Sequence, residues 1–187
     1  AHPGSDYFCR CHHLVHRNPV PQACQVTLSQ RLIRHGLFIA TAESLTAGLL
    51  SSELATESGA SAFLLGGVTC YQDEVKVNLL KVDPKLIDTQ SAIDPEVAIS
   101  LAVNVRKKFA LDCSKEIGSV IGVSTTGVAG PEPVGSNAVG TVFLGISSSR
   151  GSRSVPLKLR GTRSEIRAAS VASALKEIED EIQALFG

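Results

Sequence analysis

The kind of apolar run this chain carries limits its fold more than any other feature. Leu37–Ala40, Phe63–Tyr71 and Ile117–Thr126 are short and largely apolar, without alternation between polar and apolar positions. Strands of that kind are covered on both faces, which calls for helices on each side of a sheet. Helical patterns lie between them. Val26, Leu28, Leu32, Ile33 and Leu37 mark a first helix ending at Gly36, and Leu45–Thr56 has helical spacing. A helical turn runs from Tyr71 to Leu80. Asp94-Pro95-Glu96 opens a helix to about Ala110, with a capping acid, proline at the first position and acid in the first turn. Val139–Ser147 and Ser154–Leu159 predict a hairpin through SSSRGS, and a last helix covers Ser164–Phe186. The expected class is α/β, a three-layer α/β/α sandwich with a mixed, mostly parallel sheet.

Residues 1–22 differ from this pattern and are read as an irregular arm, leaving 23–187 as one domain. The arm's Cys9, Cys11, His12, His13 and His16 follow C-x-C-H-H-x-x-H, which matches no standard zinc spacing, so no metal site is assigned. Five cysteines, three of them before residue 25, do not form a disulfide framework for the domain, although a bridge from Cys24 to Cys9 or Cys11 fits a secreted protein. No glycosylation sequon supports that route. Lysine plus arginine equals aspartate plus glutamate, 18 against 18, which argues against a nucleic-acid partner held by a general basic field. No apolar run approaches the ~20 residues that span a bilayer, so a soluble protein without a membrane partner is expected. The chain begins at Ala1 and has no methionine. Its start is therefore read as a cut or processed end, from which no compartment follows.

Ligands of α/β sheets gather where strands end and loops enter helices. Three segments suit such a place: TAESLTAG (41–48), CYQDEVK (70–76) and GVAGP (127–131). On residue type alone, Ser44 reads as the cap of the following helix or as an exposed nucleophile. Lys76 reads as a solvated charge or a base, and Arg163 and Arg167 as decoration of a helix start. The glycine loop matches neither common phosphate-binding signature.

In order along the chain, TAESLTAG, GGVTCYQDEVK, GVAGPEPVGSNAVGTV and GTRSEIR resemble the CinA C-terminal domain family over about residues 25–185. Stand-alone bacterial members of that family are nicotinamide mononucleotide deamidases. The resemblance implies a metal-free and cofactor-free serine–lysine amidohydrolase, with Ser44, Tyr71 and Lys76 as the catalytic set and Arg163 holding charge or the substrate phosphate. It also implies an α/β/α fold, a small nucleotide substrate, a homo-oligomer and a cytoplasmic location, with secreted or organellar locations left open.

A serine hydroxyl needs a base beside it, and a lysine serves only when neutral. Helix-start amides after Ser44 are expected to hold the oxyanion. Thr46, Ala47 and Gly48 are expected to let the substrate approach that backbone. Gly127, Ala129 and Gly130 would bound its ribose or phosphate. The chain departs from the family forms at four places. Ala47 replaces a glycine, and strain follows if that position needs positive φ. Asp73 replaces an asparagine, and an acid beside a lysine favours its charged form. Asn137-Ala138 replaces Lys-Pro, and Thr162 replaces an aspartate. Two rival readings stand beside the enzyme: a weak or inactive relative that still binds a nucleotide, and a secreted interaction protein working through its arm.

Overall fold

The computed structural model describes residues 26–187. The arm, with Cys9, Cys11, His12, His13, His16 and also Cys24, lies outside the described residues. The first helix, α1 (Leu28–Arg34), starts at Thr27 through a reciprocal capping box with Gln30 and gives way at Gly36, where φ is +62°. Next come β1 (Phe38–Glu43), α2 (Leu49–Leu54), β2 (Leu64–Thr69) and α3 (Asp73–Leu80). Two helices with the same start signal follow, α4 (Pro84–Gln90) and α5 (Pro95–Asp112). In each, an aspartate caps and proline takes the first turn. The α4 helix has no counterpart among the sequence expectations, although Asp83-Pro84 repeats the Asp94-Pro95 signature.

The second half contains β3 (Val120–Gly127), β4 (Thr141–Ser148), β5 (Gly151–Lys158) and α6 (Arg163–Phe186). The β4–β5 hairpin turns where the sequence predicts it, with Ser148 opposite Gly151. Ile117–Ser119, expected as strand, forms a 3-10 turn before β3.

Five strands form one sheet in the order β2-β1-β3-β4-β5. Both ladders of β1 are parallel, whereas β3–β4 and β4–β5 are antiparallel. The sheet is thus mixed as expected, with its parallel part in one half. Alternate residues face opposite layers. Ile39, Ile121, Val123, Val142, Leu144 and Ile146 pack with Leu32, Leu50, Ile166, Ala174, Ile178 and Ile182 from α1, α2 and α6. On the other face, Ala40, Ala42 and Val120 meet Leu80, Val97, Leu101 and Val105 from α3 and α5.

The α5 backbone lies close against the sheet because Gly122 and Gly145 have no side chain. A Cβ at either would stand 2.1 Å from a carbonyl of α5, Ala102 O or Ala98 O. Among the described residues no helix is long and apolar enough to cross a membrane.

Candidate active site

The parallel strands β1, β2 and β3 deliver their carboxyl ends to one edge, where Glu43 stands level with Thr69 and Thr125. The segments leaving those ends carry Ser44, Tyr71 and the 127–131 loop. They meet around a cavity of about 330 Å³ lined by Ser44, Leu45, Tyr71, Asp73, Lys76, Gly127, Ala129, Gly130, Glu132 and Arg163, among others. Of the expected site residues, seven reach this cavity. Thr46 and Gly48 are not among its lining. The Thr46 side chain is buried and shares a 2.7 Å hydrogen bond with Thr125 Oγ1, while Gly48 opens α2.

Ser44 does not cap a helix. It begins a turn whose Ala47 and Gly48 have φ of +51° and +95°, so α2 starts only at Leu49. The cap comes instead from Glu43, a residue that the sequence motifs do not single out. Its buried carboxylate accepts from the Gly48, Leu50 and Ser51 N–H groups at 2.8–3.0 Å and from Ser51 Oγ at 2.6 Å. The α2 amides expected to hold an oxyanion are therefore already bonded. The N–H groups of Leu45 and Thr46 have no acceptor among the described residues.

The turn is held from its other side by Arg167, which donates to Leu45 O at 2.9 Å and to Thr46 O at 2.8 Å. This guanidinium bridges 122 residues of sequence, so only its place four residues after Arg163, on the same helix face, points to it.

Lys76 is buried, an unusual place for a lysine without a partner. Its Nζ donates to Asp73 Oδ1 at 2.9 Å and to Tyr71 O at 3.1 Å. The Asp73 pairing expected from the sequence is present. Ser44 and Lys76 share the cavity but not a hydrogen bond. No hydrogen bond joins the Tyr71 hydroxyl to Ser44 or Lys76; it accepts instead from Arg163 at 2.9 Å. The second arm of that guanidinium donates to Gly130 O at 2.6 Å, so Arg163 fastens the β2 end to the glycine loop.

Gly127 and Gly130 answer to packing more than to ligand approach. A Cβ at Gly127 would stand 2.6 Å from Thr141 O, and one at Gly130 would stand 2.8 Å from Val139 Cγ1. Behind the β2 end, Cys70 is buried, and that burial pushes its thiol from 9.0 to about 11 although nearby Lys76 acts against the shift.

A three-layer α/β protein with its cavity beyond the ends of parallel strands, lined by a serine, a buried lysine and an arginine, is the class this geometry defines. The family model described as the CinA C-terminal domain matches residues 22–182, and the chain belongs to that family. A CinA-like protein of Frankia casuarinae is 37% identical over 144 residues, covering 77% of this chain and 31% of its own length. The chain spans about a third of the length of the curated relatives it matches.

Among solved structures, a CinA superfamily protein from Klebsiella pneumoniae superposes with a TM-score of 0.76 at 23% identity, covering 84% of this chain and 94% of the other. The competence/damage inducible protein CihA from Agrobacterium tumefaciens gives 0.72 at 28% identity, with 82% and 92% covered.

Proposed function

We propose that this chain is an amidohydrolase that removes ammonia from the carboxamide of nicotinamide mononucleotide, leaving nicotinate mononucleotide. The observation that carries the reading is the meeting of Ser44 with a buried lysine in one strand-end cavity. Ser44 Oγ attacks the carboxamide carbon, and the unpartnered Leu45 and Thr46 N–H groups receive the developing oxyanion. A neutral Lys76 has two N–H bonds and one lone pair. The contacts to Asp73 and Tyr71 O use both N–H groups and leave the lone pair for the serine proton. That proton then goes to the departing nitrogen as ammonia, and water releases the acyl group from Ser44. Leu45, Ile87, Ile93 and Val134 supply an apolar wall for the pyridine ring.

The Asp73–Lys76 ion pair and the missing Ser44–Lys76 hydrogen bond favour a second reading, a relative that binds the nucleotide with little turnover. Ammonia release from nicotinamide mononucleotide separates the two. The enzyme reading expects turnover that Ser44→Ala and Lys76→Ala each abolish and that survives removal of residues 1–22. A folded protein that releases no ammonia between about pH 6 and 9 overturns it.

A further inference from the structure

Two adjoining cavities, of about 410 and 310 Å³, share Glu53 and Leu175 and have no residue in common with the strand-end cavity. Together they make a groove between α2 and α6. Leu28, Leu54, Phe63, Val171 and Leu175 give it an apolar floor, and Leu49, a large apolar side chain left 40% exposed, lines the second cavity. Three carboxylates, Glu53, Glu57 and Glu179, stand along it, and among the described residues no lysine, arginine or histidine does. Glu57 accepts from Ser29 Oγ, but none of the three forms an ion pair with a described residue.

Such a groove suits a segment that brings apolar side chains together with positive charge. The described fold begins at Val26, and Val26, Thr27 and Leu28 all line the first cavity. The sequence just before them has that chemistry. Residues 7–25 contain no aspartate or glutamate, and Arg10, His12, His13, His16 and Arg17 alternate there with Phe8, Leu14 and Val15. Arg17 precedes Val26 by nine residues, a span of up to about 30 Å. The groove follows α6 from Glu179 to Ala168, a rise of about 16 Å, so all of it lies within reach. Tethering also sets the local concentration of the segment near the millimolar range, where contacts too weak to hold a free peptide suffice.

We propose that the α2–α6 groove is the docking surface for the chain's own basic segment, residues 8–17, with Arg10 and Arg17 meeting its carboxylates and Leu14 and Val15 its apolar floor. The segment then covers the helix that follows the Ser44 turn and the one that braces it, without entering the strand-end cavity. The proposal therefore stands apart from the chemistry proposed there.

Limited trypsin digestion of the intact chain in a reducing buffer tests it, since cleavage after Arg10 and Arg17 follows the population that has left the groove. The reference is a synthetic peptide of residues 1–25. Cleavage at both sites slower in the chain than in the peptide by a factor of about five or more supports docking, and a smaller difference overturns it. Glu53→Gln combined with Glu179→Gln, at two exposed positions, should bring the rates to within about twofold of the peptide's. A larger remaining gap means that the segment is held elsewhere and overturns the proposal. Arg17→Glu, which leaves the groove unaltered, should speed cleavage after Arg10, and an unchanged rate counts against docking in the same way. Protection that rises with protein concentration assigns the groove to the segment of a second copy and overturns docking within one chain.

Discussion

Replacing Glu43 by glutamine keeps the shape of the side chain but removes the charge that four donors share. Hydrogen bonds to a charged group contribute about 1.5–3 kcal/mol each, and the glutamine amide also turns an NH2 toward backbone N–H groups. Glu43→Gln should therefore lower stability by about 2–4 kcal/mol in chemical denaturation. Ala47 is the other residue under local constraint. A left-handed backbone costs an L-residue about 1–2 kcal/mol, and a β-branched side chain fits it worse than alanine does. Ala47→Val should destabilise by about 1–2 kcal/mol in the same assay, although Ala47 is exposed and a methyl pair would otherwise be free to point into water. Alanine's strain is legible in the sequence, since it replaces a glycine beside a second glycine. The role of Glu43 is not, because a serine beside it offers the more familiar cap.

At the scale of elements, the first turns of α6 organise the edge of the sheet. Thr162 and Glu165 close its capping box, Arg163 reaches across to β2 and the glycine loop, and Arg167 holds the Ser44 turn. Arg167 touches two carbonyls and is absent from the cavity lining, so it acts by position. On the amidohydrolase reading, Arg167→Ala should lower kcat about 100-fold, the scale of a misplaced donor set, with KM changed by less than threefold. Arg167→Lys should recover part of the loss, because one amine reaches one carbonyl but not both.

The helix starts at Asp94 and Thr162 are legible because capping is written in adjacent residues. Contacts such as Arg167 to Leu45 are not, since nothing local encodes them. The α4 helix falls between these cases. Its Asp83-Pro84 signal is present, but only a short run of mixed polarity follows it.

At the scale of the molecule, two cores on opposite faces of one sheet depend on α5 lying flat against it. Gly145→Ala would put a methyl carbon 2.1 Å from Ala98 O and 2.4 Å from Ser124 Oγ, so the helix must lift from the sheet. A loss of about 3 kcal/mol or more is expected, visible as a lower Tm. Burial of the same interior sets an alkaline limit through Cys70. The unfolded thiol ionises from about 9.0, whereas the folded protein holds its proton to about 11. Stability from this group is intact below pH 9 and falls as pH rises toward 11, by about 2–3 kcal/mol. Cys70→Ala should lose less stability than the parent between those two pH values.

The layered class is legible from strand runs buried on both sides. The even split between parallel and antiparallel ladders is not, because the periodicity of a buried strand is the same in either direction.

The hydrogen bond between Arg167 and Leu45 also has a meaning during synthesis. Its two ends are 122 residues apart, and the later one belongs to α6. On a ribosome adding about 5–20 residues per second, the Ser44 turn is complete in sequence many seconds before its brace exists. A chain that ends before α6 carries the Ser44 turn without this brace. The Ser44 turn is thereby braced only after α6 has been made, so the shape of one cavity wall depends on the far end of the domain.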